Sequence, residues 1–254
     1  MTTEIQNFLD NMDITVNIPK ICILDTETNG LPAKGNDYSK VNMTELAYII
    51  TDLYLNIIKK GNFLIKGDYE IPEIITQLTG ITKELTDEKG IPLDKALHQF
   101  YKDIKDCEFI VAHNLRFDFG MIKKEIQSLN NKYYLSEFTS KIQMCSLQMF
   151  RKDIPKTEIQ NHKLQTVYDH LHETPFIQTH RALDDVMMIR SSMLKANNFS
   201  FMNHFWNKQV NIGKYKKMTH REINKRDHTY FRNFLLKKVY KVPVVKLKYF
   251  FRFL

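Results

Sequence analysis

"ICILDTET", residues 21–28, opens with four consecutive apolar side chains and then changes character. An unbroken apolar run of that length suits a strand in the middle of a sheet, covered on both faces. In extended backbone, residues two apart project to the same side. Asp25 and Glu27 therefore point together from the carboxyl end of the strand, the edge at which open α/β sheets generally bind ligands.

Working outward, "TELAYIITDLYL" and "IIKKGNFLIKG" predict two further strands of an antiparallel meander. "PEIITQLTGITKEL" predicts a helix entered through a proline and broken at Gly80. "PLDKALHQFYKDIKD" places Leu93, Leu97, Phe100 and Ile104 on one helical face. Strand "EFIVA", helix "FGMIKKEIQSL", strand "KIQMC" and helices "KLQTVYDHL" and "RALDDVMMIRSSMLK" follow. Strands in a run and then alternating with helices predict an α/β fold, a mixed sheet with helices on its faces.

Composition fits one sizeable globular domain with an accessory segment: 254 residues, 43% hydrophobic, mean hydropathy −0.38. Cys22, Cys107 and Cys145 are odd in number, far apart and in apolar contexts, and so are expected as buried reduced thiols. The first sixteen residues have no basic stretch followed by an apolar run, and no segment reaches the roughly 18 apolar residues of a membrane span. The default expectation is an intracellular, cytoplasmic address with no membrane partner. Charge is divided unevenly. Lys208–Leu254 carries 14 Lys+Arg against two acids, while the remaining 207 residues carry 23 basic and 27 acidic ones. A basic terminal segment on a mildly acidic body points to a polyanion.

The acids form a second pattern. Asp118, in "HNLRFDFGMI" (113–122), falls just past a predicted strand and is flanked by Phe117 and Phe119. A carboxylate there needs a buried partner or a metal, since an isolated buried charge costs several kcal/mol. Asp185, in "HRALDD", lies near another helix start, five residues beyond His180. Singly, each motif reads as a strand-end turn or a helix cap, with Asn114 and Asp118 serving first-turn amides. Jointly they put four acids on one rim, which would repel one another unless cations stood between them. Oxygen-loving Mg²⁺ or Mn²⁺ suits such a site. Phe117 and Phe119 are expected to pack in the core.

These motifs resemble the DEDDh (DnaQ-like) 3′–5′ exonucleases over roughly residues 19–197. "ILDTETNGL" carries the first acidic motif with Asp25 and Glu27, "VAHNLRFDFGMI" the second with Asp118, and "HRALDDV" the third with His180 and Asp185. The His-x-x-x-x-Asp spacing selects Asp185 over Asp184. "LTGITKEL" is similar to the family's H-G-I-T element with Thr79 in place of His, and "ELAYII" to its E-I-G strand with Leu46 and Ala47 as departures. The resemblance implies a ribonuclease-H-like fold and two Mg²⁺ or Mn²⁺ ions held by Asp25, Glu27, Asp118 and Asp185. It also implies His180 as general base, and a nucleic acid with a 3′ end as substrate, released as nucleoside 5′-monophosphates. Thr26, Thr28, Leu31 and Asn114 are the implied contacts to the terminal nucleotide.

"IGKYKKMTHREINKRDHTYFRNFLLKK" is similar to the small module behind the nuclease domain of exodeoxyribonuclease X-like proteins. Gly213, Lys214, Tyr215, Asp227, Tyr230, Leu235 and Leu236 match; Lys217, His228 and Asn233 depart. Lys214, Tyr215, Lys216 and Lys217 are the expected nucleic-acid contacts, because cations track phosphates and rings stack on bases. The competing expectation is a solvated basic face whose aromatics pack inward. The chain thus divides into an N-terminal tail (1–18), an exonuclease domain (19–198) and a basic module (199–254) for nucleic acid or a polymerase, replication or repair partner. DNA is the expected substrate. The alternatives are RNA or oligoribonucleotides, or a non-catalytic nucleic-acid-binding or polymerase-partner subunit.

Overall fold

The computed structural model describes residues 20–52, 55–174, 176, 178–196, 209–210 and 213–231. The expected N-terminal tail, Asn233, Leu235, Leu236 and the terminal "KVPVVKLKYFFRFL" lie outside them.

The stretch 21–28 is the centre of the molecule. β1 (Lys20–Thr28) is flanked by β2 (Met43–Thr51), antiparallel to it, and β3 (Ile57–Lys66) continues the expected meander. α1 (Glu73–Thr79) begins after Pro72 and ends at Gly80, whose φ of 68° takes the left-handed conformation that a side chain would strain. After α2 (Lys83–Lys89) and the two-residue β4 (Ile91–Pro92), α3 (Leu93–Ile104) buries Leu97, Phe100 and Ile104. β5 (Cys107–Ala112), α4 (Arg116–Ser128), α5 (Lys132–Thr139) and β6 (Ile142–Cys145) follow. Then come α6 (Ser146–Asp153), α7 (Leu164–Leu171), α8 (Ala182–Lys195) and α9 (His220–Arg226). The sheet order is β4-β3-β2-β1-β5-β6, with β5 parallel to β1 and β6 parallel to β5. The mixed α/β sheet is therefore the expected fold class.

Alternation along β1 explains the layering. Ile21 and Ile23 join one buried apolar cluster with Ala47, Ile49 and α8 residues Val186, Ile189 and Met193. Cys22 and Leu24 join the opposite cluster with Leu46, Tyr48, Phe100, Met121 and Ile122. Each fully buried Ile, Leu, Val, Met or Phe among them contributes roughly 1.5–3 kcal/mol. Tyr48 lies so close over Gly61 that a Cβ there would come within 2.2 Å of its ring, so the crossing requires glycine. The Phe flanks of Asp118 pack as expected: Phe119 stacks on Phe138 at 4.5 Å and Phe117 tilts against Tyr38 at 6.1 Å. Cys22 and Cys107 are buried, whereas Cys145 is half-buried; all three are free thiols.

The described part of the basic segment is joined to this core. Val210, Ile223 and Phe231 belong to the same apolar cluster as Ile21, Ile23 and α8, and Tyr215, Met218 and Tyr230 pack against it. A bridge between Gln209 and Thr219 closes the intervening turn, and a capping box between Thr219 and Glu222 starts α9.

Candidate active site

β1 extends four residues past its apolar run, so Asp25 and Glu27 stand on the face of Ile21 and Ile23, the face that α8 covers. α8 brings Asp185, in its first turn, to the same place. One carboxylate oxygen each from Asp25, Glu27 and Asp185 lie within 4.8 Å of one another. Asp118, in the first turn of α4, is buried beside them at 2% exposure.

This crowding has an electrostatic signature. Burial, and then the charges of Asp118, Asp185 and Glu27, hold the Asp25 carboxyl well above the usual range. Burial, followed by Asp185 and Glu45, pushes Glu27 up to about 8. Burial likewise raises Asp118 and Asp185, against the lowering effect of the hydrogen bonds that each accepts. Carboxylates in this state are stabilised by a cation among them. A donor set made of carboxylate oxygens, with no thiolate or imidazole in the group, fits a hard divalent ion of the Mg²⁺ or Mn²⁺ kind.

Each acid is held by a neighbour. Thr26 donates its backbone N–H (3.0 Å) and its hydroxyl (2.9 Å) to Asp118 Oδ1. Gln178 donates Nε2–H to both oxygens of Asp185, at 2.9 and 2.8 Å. Asp184 instead accepts the Thr179 hydroxyl at 2.6 Å. Glu45 lies opposite Glu27 in the β1–β2 register, where two like charges would repel, and is 0% exposed. It accepts from Arg181 Nη2 (2.6 Å) and Nε (3.1 Å) and from the Ala182 amide (3.0 Å), which satisfies an orphan donor at the start of α8. His180, half-buried, sits between Gln178 and Arg181 with φ +52°, in the left-handed region.

The remaining expected contacts are distributed differently. Thr26 is committed to Asp118, and the Thr28 hydroxyl donates to the Gly30 carbonyl at 2.7 Å. Leu31 is 81% exposed. Asn114 is exposed at φ +68°; its carbonyl accepts the Phe117 N–H, and its side chain makes no cap at α4. In the basic segment, Lys214 pairs with Asp227 at 3.0 Å and the Tyr215 hydroxyl donates to the same carboxylate at 2.9 Å. Tyr215 meets Tyr230 edge-on at 5.0 Å, and Lys216 and Lys217 are exposed. Glu45, Arg181 and Gln178 were not singled out from sequence. Glu45 alone carried a signal, a charge in a strand whose alternate residues Ala47 and Ile49 are core. Among the described residues no helix is long and apolar enough to cross a membrane.

A family model described as exonuclease, of the ribonuclease T type, matches residues 22–191. The chain is 28% identical over 179 residues to the 3′–5′ exonuclease DinG of Staphylococcus epidermidis, covering 70% of this chain and 18% of that protein. It is 31% identical over 140 residues to the DNA polymerase III subunit epsilon of Buchnera aphidicola, covering 55% of this chain and 58% of the subunit. Among solved structures, E. coli exonuclease I in complex with a dA16 oligonucleotide superimposes with a TM-score of 0.60 at 19% identity, over 74% of this chain and 44% of that one. The chain thus spans less than a fifth of the DinG relative and under two thirds of the other two. The shared architecture is the ribonuclease-H-like fold.

Proposed function

Because the chain belongs to the exonuclease family whose model matches residues 22–191, we propose that it is a divalent-cation-dependent enzyme that hydrolyses DNA from the 3′ end to nucleoside 5′-monophosphates. One observation carries this reading: carboxylate oxygens of Asp25, Glu27 and Asp185 within 4.8 Å of one another, with Asp118 buried alongside. Two Mg²⁺ or Mn²⁺ ions held by these four acids would neutralise them, polarise the scissile phosphate and stabilise the leaving 3′ oxygen.

The chain's own residues supply the rest. Thr26 fixes Asp118 and Glu45 fixes the start of α8, so the acids of three elements keep one geometry through the reaction. His180 accepts the proton of the attacking water, the general-base role that an imidazole side chain most often fills. Leu31, Asn114 and the backbone around Thr26 and Thr28 meet the terminal nucleotide. Leu31 is the exposed apolar surface of that set. Lys216 and Lys217, exposed beside the Lys214–Asp227 pair, track the phosphates of the strand further from the end. Tyr215 braces this turn through its hydroxyl and its ring packing. The resemblance of residues 212–238 to a module of DNA exonucleases is the reason for preferring DNA.

The test is digestion of single strands of DNA and of RNA, labelled at either end, with Mg²⁺ or Mn²⁺ and with a chelator. Loss of DNA from the 3′ end, as 5′-monophosphates and only with the cation, is the expected outcome. Equal loss of RNA would overturn the DNA preference. No loss of either would make the chain a binding subunit.

A further inference from the structure

Gln178 has no place among the five residues of the acidic motifs, yet it holds one of them more completely than any other described contact. Its single amide nitrogen reaches both oxygens of Asp185, at 2.9 and 2.8 Å. The position of that amide is itself fixed. The backbone N–H of Gln178 donates to Gln165 Oε1 on α7 at 2.9 Å. Gln165 Nε2 in turn donates to the Phe176 carbonyl and to Asp169 Oδ1, each at 2.7 Å. Hydrogen bonds therefore link Asp169 on the exposed side of α7 to Gln165, Gln165 to Phe176 and Gln178, and Gln178 to the carboxylate of Asp185.

Arg181, the nearest cation in sequence, is paired with Glu45. A lysine or arginine on Asp185 would neutralise it and compete outright with a metal ion. A primary amide does neither. It orients the carboxylate and leaves its charge in place, which is the usual service of an outer group to a metal-binding carboxylate.

We propose that Gln178 is a positioning residue for divalent-cation binding, setting the orientation of Asp185, and that Gln165 positions Gln178. This inference rests on the cation-dependent reading of the site. The amide acts before turnover, on cation affinity, so its loss is read most directly in binding.

The experiment measures Mn²⁺ binding to the full chain by electron paramagnetic resonance, without substrate, alongside melting curves. The proteins are the parent, Asp185→Asn, Gln178→Met and Gln165→Ala. Methionine is close to glutamine in shape and lacks the donor, so Gln178→Met is expected to fold. Gln178→Met should lose about tenfold in Mn²⁺ affinity, the lower end of what outer-shell partners contribute. Gln165→Ala should lose less, in the same direction. Turnover of both at low Mn²⁺ should fall and recover at saturating Mn²⁺, a recovery that a merely structural defect would not show. Parent-like Mn²⁺ affinity in Gln178→Met, with Asp185→Asn impaired, would overturn the inference and leave the site reading intact. A parent that binds no Mn²⁺, or an Asp185→Asn variant that binds it equally well, would overturn the site reading itself.

Discussion

Glu45 and Arg181, 136 residues apart in sequence, meet in a two-point contact beside the acidic cluster, Nη2 to Oε1 at 2.6 Å and Nε to Oε2 at 3.1 Å. The same carboxylate takes the first amide of α8 at 3.0 Å. β2 is thereby fastened to the helix that carries Asp185. Glu45→Ala strands a guanidinium and a helix-start amide together. The expected loss is about 3 kcal/mol, measured by urea denaturation, with a fall in turnover. Glu45→Gln keeps the shape and one acceptor, so it should lose less of both. If Glu45→Ala unfolds at the parent's urea midpoint, the fastening is of no consequence.

Neutralising an acid of the cluster should separate stability from activity. Asp25→Asn removes a charge that burial, Asp118, Asp185 and Glu27 all oppose. In chelator the variant should be more stable than the parent by about 1 kcal/mol, while its turnover falls to background. Thermal melting with and without EDTA, beside a cleavage assay, reads both. Lower stability together with near-parent turnover would mean that Asp25 serves packing.

The same cluster sets a pH dependence. Glu27 is raised from 4.5 to about 8, and Asp25 lies well above its ordinary value. A carboxyl with a raised folded pKa contributes stability that is fully present below its unfolded value and lost as pH rises through the folded one. In chelator the melting temperature should therefore fall between about pH 5 and pH 9. Each kcal/mol lost lowers it by about 2–4 °C in a chain of this size. Saturating Mn²⁺ should flatten the slope. A slope that is the same with and without the ion would show that no cation engages these acids.

His113 acts in the opposite direction. Its Nε2 donates to the His162 carbonyl at 2.9 Å, and its Nδ1 shares a 3.0 Å hydrogen bond with the Ser146 hydroxyl, which also lies 3.3 Å from the Ala112 carbonyl. Burial pushes its pKa down from 6.5 to about 4. The neutral ring's contribution is present above pH 6.5 and lost as pH falls through 4. His113→Asn should flatten that acid limb and destabilise the protein by about 1–2 kcal/mol at pH 7 through its lost hydrogen bonds. Acid unfolding curves that coincide for parent and variant would reassign the limb.

The basic segment should behave as part of the nuclease body. Phe231 is buried in the cluster that contains Ile21 and Ile23, so Phe231→Ala should cost about 3 kcal/mol and shift one cooperative transition. Lys216→Ala with Lys217→Ala should leave that transition alone. It should lower the salt slope of single-strand binding by about 1.4, at about 0.7 per phosphate contact. Separate transitions for body and segment would contradict the shared core.

Much of this was legible because period and position carry physical meaning. The apolar run at 21–24 marked the central strand, and Gly80 marked a helix end. The spacing of Asp25 and Glu27 marked one face of one strand. What was not legible depended on distance along the chain. Glu45 is ordinary until Arg181 arrives from another element, and Gln178 is a polar loop residue until Asp185 is seen beside it. Helices α5 and α6, eight residues each, were not singled out from the sequence. Thr26 was expected to meet substrate, but a hydroxyl next to a buried carboxylate is drawn to it first.

β1 spells hydrophobic wall and acidic cup with the same letters, read every second residue: Ile21, Ile23, Asp25, Glu27. A single inserted residue ahead of Asp25 would shift the frame and throw both acids to the far side of the sheet, toward the layer of Leu24 and Tyr48. Length in this strand is therefore constrained far more tightly than identity. The wall tolerates one aliphatic exchanged for another, but no single-residue addition or deletion ahead of Asp25 can spare the cup.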